Sequence, residues 1–513
     1  MSLPLLKRAA DDDATFVLTR RTSLNVRPRA PEARMPSRAP GPGEQYRFHF
    51  DMGRCIGCKC CVVACNEQNG NPAAINWRRV GEIEGGWYPN TKRAYLSMGC
   101  NHCVDPTCLN GCPVDAYTKD PVTGIVRHSA DACIGCQYCT WNCSYGVPQY
   151  NPERGVVGKC DMCHGRLALG QAPACVSACP EGAIAIEIVK TNQWRLAAAT
   201  TASGNGLPVA DGSLSTTRLT LPAQLPPSAR PVGLTHLVPE HAHWSLILMT
   251  VLTQLSVGAF VTIWLLQLFG DAAHSAGAAV TSLLVAALAL NGATLHLGRP
   301  IHAYRALKMW RRSWLSREVL LFTAFAAVAS LYAGLLWFKI GGSWLVGGLT
   351  AGLGIAGVTA SGFIYRVPSR PAWNTSLTLL QFNLTAAVLG PLLAAALGVG
   401  DRRWLAVAAS TMAGIQLVSG AWRFVRLIAA DSIELQGTAR LLSTTFRPHF
   451  IARGALLAIG GCVLPLIVTT TYGWSMALVV ALFAEVLDRY LFFVSVVPKH
   501  MATPYLEIGS EAA

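Results

Sequence analysis

Residues 133–143 read Cys-Ile-Gly-Cys-Gln-Tyr-Cys-Thr-Trp-Asn-Cys and space four thiols as C-x2-C-x2-C-x3-C. Sixteen of the eighteen cysteines in this 513-residue chain fall into four runs of related spacing, all before residue 180. The runs are Cys55, Cys58, Cys61 and Cys65; Cys100, Cys103, Cys108 and Cys112; Cys133, Cys136, Cys139 and Cys143; and Cys160, Cys163, Cys175 and Cys179. Because four thiolates hold one [4Fe–4S] cluster, the runs predict four clusters.

Disulfides and zinc are the two other common uses of clustered cysteines. A disulfide framework is typical of small secreted domains, but residues 1–47 are polar and lack the apolar run of a signal peptide. Zinc sites pair two C-x2-C units, whereas these runs continue to a third and a fourth cysteine. Cys-Pro closes two runs, at Pro113 and Pro180, as in bacterial ferredoxins. We therefore expect iron–sulfur clusters, with Cys60 as a spectator and Cys462 as a small apolar side chain.

The spacing also predicts which cysteines share a cluster. In two-cluster ferredoxins the fourth cysteine of each run binds the other cluster, which pairs the second run with the third and, by elimination, the first with the fourth. The predicted sets are Cys55, Cys58, Cys61 and Cys179 (cluster 1); Cys65, Cys160, Cys163 and Cys175 (cluster 2); Cys112, Cys133, Cys136 and Cys139 (cluster 3); and Cys100, Cys103, Cys108 and Cys143 (cluster 4). One ferredoxin-like half is then inserted into another over residues 48–196. Residues 1–47 are predicted to be a disordered or partner-wrapping arm.

From Trp244 onward the chain is dominated by apolar runs, each close to the ~20 residues that cross a ~30 Å hydrocarbon layer. Eight runs are predicted, at 244–269, 275–297, 318–339, 344–365, 375–398, 403–427, 452–473 and 475–497. A single soluble core of this size could not bury them all. The predicted fold is therefore multidomain: an α+β double ferredoxin-like iron–sulfur domain, followed by an all-α bundle of eight transmembrane helices at 241–500. Residues 197–240, rich in Ala, Thr, Ser, Gly and Pro, are a predicted linker, and 501–513 a tail.

The charge of the loops predicts the orientation in the membrane. Fourteen Lys and Arg residues lie on the side that holds segment 197–240, which we call the linker side, against Lys339, Arg402 and Arg403 on the other. The positive-inside rule therefore predicts a multi-pass inner-membrane protein with the iron–sulfur domain and both termini in the cytoplasm. The net charge of +14 belongs largely to residues that flank spans, so it does not indicate nucleic-acid binding.

A row of single-electron clusters joined to a membrane bundle suggests electron exchange with a lipid-soluble quinone. Haem b is disfavoured, because the histidines offer no clear pair of axial ligands within the membrane. Ionisable residues at membrane depth are expensive and default to functional candidates, although those at span ends can also reach water. The candidates for quinone contact, all at linker-side ends of spans two to four, are His296, Arg299, Arg317, Glu318 and Tyr365.

The last span also carries charged residues. Glu485 and Arg489 are four residues apart, on one helical face, and are expected to neutralise each other. The alternative is that they line a proton path together with Asp488.

Several stretches resemble a known family. Met98-Gly-Cys-Asn-His-Cys103, Tyr145-Gly-Val-Pro-Gln-Tyr-Asn151 and Gly158-Lys-Cys-Asp-Met-Cys163 resemble the electron-transfer subunit of the dimethyl sulfoxide reductase family. Leu295-His-Leu-Gly-Arg-Pro300, Ser316-Arg-Glu-Val319 and Glu485-Val-Leu-Asp-Arg-Tyr490 resemble the membrane anchor of that family. The two are usually separate chains and here look fused through segment 197–240.

The resemblance implies a separate catalytic subunit with a molybdenum bis-pterin cofactor and a cluster of its own, so no catalytic residue is expected in this chain. Cluster 1 would face that subunit and cluster 4 would lie nearest the membrane. His296 and Glu318 match residues associated with quinol binding in the anchors. The quinone could be ubiquinone or menaquinone.

The resemblance also suggests a substrate. Residues 66–72 and 76–85 look like a cytoplasm-facing, quinone-linked sulfite dehydrogenase, which implies sulfite oxidation with quinone reduction. The alternatives are a quinol-linked terminal reductase for dimethyl sulfoxide or another sulfur or oxyanion acceptor, and a purely structural anchor and assembly module.

Overall fold

The computed structural model describes residues 34–200, 213–226, 228–232, 237–270, 275–499 and 501. Most of the predicted arm and tail lie outside these ranges. The cluster domain comes first and contains short strands and helices around the cysteine runs. Its strands are β1 (Glu44–Asp51), β2 (Arg79–Gly85), β3 (Lys92–Met98), β4 (Tyr117–Lys119), β5 (Val126–His128), β6 (Gln149–Asn151), β7 (Val156–Gly158), β8 (Ile184–Lys190), β9 (Arg218–Thr220) and β10 (Arg230–Pro231). Its helices are α1 (Cys60–Asn69), α2 (Thr107–Gly111), α3 (Tyr138–Asn142), α4 (His164–Ala168), α5 (Ala174–Ser177) and α6 (Thr191–Thr200).

Strand β1 ties the two ends of the cluster domain together. Its alternating sequence buries Phe48 and Phe50, as expected for a strand with one face on a core. It pairs antiparallel with β8 from Glu44↔Lys190 to Phe50↔Ile184. This pairing brings the first and fourth cysteine runs together and leaves the second and third in the inserted half, in keeping with the predicted insertion.

Segment 197–240 is not the unpaired linker that its composition predicts. Strand β9 adds to β1 in parallel, and β10 adds antiparallel to β2. Within the described part of this segment, residues 213–217 are buried, and Tyr145 Oη donates to the Ser213 carbonyl at 2.7 Å. The prediction was wrong here because the Thr-rich stretch finds its hydrogen bonds on strands more than a hundred residues away, which local composition cannot show. Strand β1 likewise begins at Glu44, before the predicted domain boundary.

The second part of the chain is helical, as predicted. Its helices are α7 (Trp244–Leu268), α8 (Ser275–Ala293), α9 (Trp314–Trp337), α10 (Ser343–Ile364), α11 (Ser376–Ala396), α12 (Arg402–Ile428), α13 (Ile433–Ser443), α14 (Arg447–Leu457), α15 (Leu464–Ile467) and α16 (Thr471–Val494). A π-helical stretch, Ala458–Val463, joins α14 to α15. Polar side chains begin several of these helices, since Thr375, Asp401, Ser432 and Thr470 each accept a first-turn N–H.

Seven helical segments in the described residues are long and apolar enough to cross a membrane, counting α14 through α15 as one. The remaining long helix, α16, has 24 residues and includes Glu485, Asp488 and Arg489, and we count it as the eighth. The predicted fold class is thus confirmed, with span ends shifted by a few residues. Helix α7 is the central helix, because 83% of the residues in its most apolar 18-residue stretch are buried. It approaches α11 so closely that a Cβ on Gly258 or Gly390 would overlap the facing backbone.

The cluster domain sits on the linker-side ends of the spans. The Arg299 amide donates to the Ile134 carbonyl at 3.1 Å, and the Met309 amide donates to the Pro113 carbonyl at 3.2 Å. Ser313 Oγ donates to the Gly111 carbonyl at 2.7 Å. Gly298 and Gly155 meet backbone to backbone, so that a Cβ on either would overlap the other residue. The second and third cysteine runs therefore rest directly on the anchor.

Replacing Gly298 with alanine is expected to loosen this contact. The added methyl would overlap the Gly155 backbone, and overpacking of this kind typically costs about 1–3 kcal/mol. We expect faster proteolytic release of the cluster domain from membranes, measured by limited digestion. Gly292→Ala is the matched control, because a Cβ there meets nothing within 4 Å. Equal protease resistance of the two variants would contradict the assigned contact.

Candidate redox site

The cysteine thiols of cluster 1 and of cluster 4 are electrostatic neighbours within each predicted set. Burial is the largest cause that raises the pKa of the Cys55 thiol, and the thiols that raise it further are Cys61, Cys179 and Cys58. Burial also raises the pKa of Cys108, and the thiols that add to the shift are Cys143, Cys100 and Cys103. Such influence between thiols requires short distances in a partly screened interior. The structure therefore brings together both predicted sets.

Clusters 2 and 3 show the same relation. Burial raises the pKa of Cys65 to about 12, and the thiols that contribute are Cys175 and Cys163. Burial raises the pKa of Cys139, and its contributing neighbours are Cys136, Cys112 and Cys133. All of these cysteines are free thiols. In the described residues no group of three His, Cys, Asp or Glu side chains is placed to hold a single metal ion.

The loops around the thiols offer the hydrogen bonds that cluster thiolates use. The amide of Ala183 donates to Cys179 Sγ at 3.2 Å, and that of Ala116 donates to Cys112 Sγ at 3.3 Å. The C-x2-C turns contain the same kind of bond, since the Gly135 amide donates to Cys133 Sγ at 3.4 Å. Hydrogen bonds to the sulfurs stabilise the charge of a cluster and tune its potential. The residues present therefore fit [4Fe–4S] clusters.

The two remaining cysteines belong to none of the four predicted sets. Cys60 is exposed on α1, and its thiol is hydrogen-bonded to that of Cys58 in cluster 1. Cys462 lies in the π-helical stretch of the anchor, where its thiol donates to the Ser410 carbonyl at 3.7 Å. Neither is placed as a fifth ligand.

The order of the four cysteine sets in space follows from three buried polar side chains, each of which is an electrostatic neighbour of thiols from two sets. Burial lowers the pKa of the Arg78 guanidinium, but thiols of clusters 1 and 2 outweigh this effect and raise it. For the Lys159 ammonium, thiols of clusters 4 and 2 likewise outweigh burial and raise the pKa. Burial raises the pKa of Tyr117, and thiols of clusters 3 and 4 raise it further. The order is therefore 1, 2, 4, 3. These three residues were not predicted from the sequence, although Lys159 stands inside one of the family-like motifs.

Cluster 3, not cluster 4, lies nearest the anchor. Its Cys136 packs against the apolar core of the helical part, and the loop around it bonds to Arg299. The Ser316 hydroxyl donates to the Pro113 carbonyl, next to Cys112, at 3.4 Å. The expectation that cluster 4 comes closest was therefore wrong. Helix α3 carries Cys139 near its start and is followed by Cys143, and the sequence does not show which end faces the membrane.

Lys159→Met is expected to lower the midpoint potential of cluster 2 or 4. The ammonium group is 3% exposed and donates to the Cys160 carbonyl at 2.9 Å, so its charge favours the reduced, more negative cluster. Removing one charge at this range should lower the potential by about 50–100 mV. An EPR-monitored redox titration measures the shift, with Lys190→Met at an exposed strand end as the control. Unchanged potentials would contradict the placement of Lys159 between two clusters.

The polar residues at the linker-side rim of the spans form two groups. Glu318 is 3% exposed in the second turn of α9 and is hydrogen-bonded by the Ser361 side chain. Tyr138, which lies between the cluster 3 ligands Cys136 and Cys139, and Tyr365, at the end of α10, are both electrostatic neighbours of Glu318. An acid on the anchor is thus placed beside the cluster nearest the membrane.

The second group contains histidines. His296 hydrogen-bonds the Ala293 carbonyl through Nδ1 and is an electrostatic neighbour of His243. Burial, aided by His241, His296 and Arg370, lowers the pKa of His243 to about 4, so its imidazole is neutral at pH 7. The Trp141 ring joins the two groups, with its centroid 5.5 Å from His243 and 5.7 Å from Tyr365. We call the set His243, His296, Glu318 and Tyr365, with Tyr138 and Trp141, the rim site.

Arg299 and Arg317 have other partners. Arg299 donates to the Ala130 carbonyl at 2.8 Å and thereby holds the cluster 3 loop. Arg317 donates to the carbonyls of Trp310 and Arg311 at 3.1 and 2.7 Å and lies over the Trp314 ring at 4.4 Å. Neither guanidinium joins the rim site in the structure.

Next to the rim site, a cavity of about 890 Å³ lies in the seam between the cluster domain and the anchor. Its lining includes Trp141 and His243 of the rim site and the cluster 4 ligand Cys143. The charged residues in its other walls are Arg79, Arg370, Lys499 and Glu240, and Glu240 accepts from Arg370 at 3.0 Å. The volume is in the range of sites for small organic ligands.

The expected pairing of Glu485 with Arg489 is not formed. Glu485 Oε2 accepts from Thr385 Oγ1 at 2.7 Å and from Gln416 Nε2 at 3.0 Å. Arg489 donates to Gln254 at 3.2 Å and lies 3.7 Å from the centroid of a phenyl ring. The i,i+4 spacing predicted an ion pair, but partners on neighbouring helices compete for both groups.

Comparison with known proteins divides the chain at the same place. A profile described as 4Fe-4S dicluster domain matches residues 91–188, and one described as DMSO reductase anchor subunit (DmsC) matches residues 240–494. The B subunit of anaerobic dimethyl sulfoxide reductase from Haemophilus influenzae is 40% identical over 177 residues, which are 33% of this chain and 85% of the relative. The subunit of the same name in Escherichia coli K12 is 43% identical over 144 residues, 26% of this chain and 70% of the relative. Formate dehydrogenase-O iron-sulfur subunit of Escherichia coli K12 is 37% identical over 187 residues, 33% of this chain and 59% of the relative.

Proposed function

Because this protein belongs to the family of the anaerobic dimethyl sulfoxide reductase B subunit and carries a DmsC-type anchor in the same polypeptide, we propose that it is the electron-transfer and membrane-anchor subunit of a molybdenum oxidoreductase. One observation carries the proposal. Four thiol sets follow each other with a buried polar side chain at each junction, and the last set lies against the rim site. Four bound [4Fe–4S] clusters would pass single electrons along this row.

The outer end of the row is proposed to meet a separate catalytic subunit. Cys58 of cluster 1 is exposed, and Ile56 and Val63 beside it are 58% and 61% exposed. Exposed apolar side chains around a redox centre favour a protein partner at this face. That partner is proposed to carry the molybdenum bis-pterin cofactor and a cluster of its own, as the resemblance to the family implies.

The inner end is proposed to exchange electrons with ubiquinone or menaquinone at the rim site. A quinone that takes up two electrons also takes up two protons, and the reverse reaction releases them. The Glu318 carboxyl can give or accept one proton at a quinone oxygen, and neutral His243 and His296 can hydrogen-bond the other side of the headgroup. Tyr138 and Trp141 lie between these groups and cluster 3. The seam cavity gives a headgroup room beside Trp141.

The direction of electron flow separates two candidate functions. The names of the relatives favour a quinol-linked reductase, while residues 66–72 and 76–85 favour sulfite oxidation. Both reactions are tested on the purified complex, one with sulfite and a quinone analogue, the other with a quinol analogue and dimethyl sulfoxide. Absence of sulfite-dependent quinone reduction would remove the sulfite proposal. Activity in neither assay would leave two explanations, a reductase for another sulfur or oxyanion acceptor and the structural anchor.

The cluster domain and both termini are proposed to lie in the cytoplasm, with the anchor in the inner membrane. Support comes from the loop charges and from eight long helices, which return the chain to the side where it began. We expect a reporter that is active in the cytoplasm to be active when it is fused to the C-terminus, and a reporter that requires export to be inactive there. Activity of an export-dependent reporter at the same position would overturn the orientation.

A further inference from the structure

A second polar group lies deep in the anchor, away from the rim site. Glu485 of α16 is 1% exposed, and its partners Thr385 and Gln416 come from α11 and α12. Gln254 of α7 completes the group by accepting from Arg489 at 3.2 Å. Glu485 lies nine residues before the linker-side end of α16, which is about 14 Å at 1.5 Å per residue. The carboxyl is therefore near the middle of a ~30 Å hydrocarbon layer.

This group contains buried polar atoms without a protein partner among the described residues. They are Gln254 Nε2, Gln381 Oε1, Gln416 Oε1, Glu485 Oε1 and Arg489 Nε. Hydrocarbon offers no partner to such atoms, so they must be satisfied inside the protein. Because donors and acceptors are mixed, the group that fits is water, which does both.

Polar side chains continue from Glu485 toward the linker side, because Gln381 Nε2 donates at 3.5 Å to the carbonyl of Gln416, which is a partner of Glu485. A small cavity of about 50 Å³, enough for one or two waters, is lined by Gln381, Arg423, Arg453, Asp488 and Ser495. Arg453 is held by Asp488 at 3.0 Å, and Arg423 donates to the Ala372 carbonyl at 3.1 Å. Arg423 Nε and Arg453 Nη2 have no hydrogen-bond partner among the described residues, so water in this cavity would satisfy them as well. Arg489 on the same helix turns to Gln254 and to the Phe382 ring.

We propose that Glu485 is a proton-binding site in the middle of the anchor, loaded from the linker side through water in this route. The carboxylate Oε1 takes one proton from an adjacent water and becomes a carboxylic acid, and the aqueous phase restores the proton of that water. No electron moves in this step. Arg489 couples the site to the rim site, because its guanidinium lies over Phe382 and Phe492, whose rings contact Tyr365 at 5.5 and 5.3 Å. The site goes beyond quinone exchange, since these rings separate Glu485 from the rim.

Infrared difference spectra of the complete complex in membranes test the site directly. The wild type is compared between acidic and alkaline buffer in H₂O and D₂O, and we expect a carboxylic-acid band that titrates and shifts on deuteration. Glu485→Gln should lose this band and Glu485→Asp should restore it. Persistence of the full band in Glu485→Gln, or a band that never exchanges with D₂O, overturns the proposal.

Two controls separate this result from folding and from the quinone proposal. EPR of the clusters checks that Glu485→Gln is assembled, and an isosteric amide keeps the hydrogen bond from Thr385. Glu318→Gln should keep the Glu485 band even though quinone turnover falls. If Glu318→Gln loses quinone turnover but keeps the carboxylic-acid band, the result bears on the rim site alone. If Glu485→Gln loses the band while its clusters are normal, the result bears on the proton site at Glu485.

Discussion

Glu318→Gln is expected to lower quinone-linked turnover by about 100-fold or more, in line with the loss of a positioned acid or base. The carboxyl is almost fully buried, is hydrogen-bonded by Ser361 and neighbours Tyr138 beside cluster 3. The amide keeps the side-chain shape but can no longer give or take a proton. Steady-state assays with a quinol or quinone analogue measure the effect, and His296→Ala should act in the same direction.

The control for this variant is the preceding residue. Arg317 is half-buried and bonded to main-chain carbonyls of the turn before α9, so Arg317→Gln should keep turnover within about twofold of wild type. Reduction of the clusters by a soluble reductant should be normal in both variants. Wild-type turnover in Glu318→Gln would support the structural-anchor alternative instead.

Cys139→Ala is expected to remove cluster 3 and with it the connection to the membrane. Iron content should fall by about four atoms per copy of this chain, as one cubane is lost. Electrons should still reach the other clusters from a soluble reductant, while quinone-linked turnover falls to background. Iron analysis and EPR spin quantification of the assembled complex measure both results.

Cys60→Ala is the matched control for that loss. Cys60 is exposed on α1 and stands outside the four sets, so iron content and turnover should stay at the wild-type level. A full iron content in Cys139→Ala would show that Cys139 is not a ligand. Loss of iron in Cys60→Ala would show that Cys60 is a cluster ligand and that the ligands of the first run are wrongly assigned.

The cysteine spacing predicted which thiols meet, because each C-x2-C-x2-C turn is a local feature and the exchange of fourth ligands follows from the insertion of one half into the other. It could not predict which cluster faces the anchor. That depends on the contact of the Gly135 loop with Gly298, which are separated by more than 160 residues. The spans were readable from length and apolar composition. Strands β9 and β10 were not, since their partners are distant in sequence.

At the rim site, position along the spans was enough to single out His296, Glu318 and Tyr365. It was not enough to reject Arg299 and Arg317, whose side chains turn to main-chain carbonyls. His243, Trp141 and Tyr138 went unrecognised because they meet the rim only when the two parts of the chain pack together. Similarly, Glu485 and Arg489 have the spacing of a pair, and only the neighbouring helices show why each turns away.

An EPR redox titration of the purified complex, with and without a tightly binding quinone analogue, tests the central claim most directly. We predict four [4Fe–4S] signals from this chain in addition to that of the catalytic subunit. The analogue should change one of the four, and that signal is the one missing in Cys139→Ala. Fewer than four clusters in this chain, or an analogue effect on a signal that survives in Cys139→Ala, would contradict the proposed order from the exposed cluster 1 to the membrane.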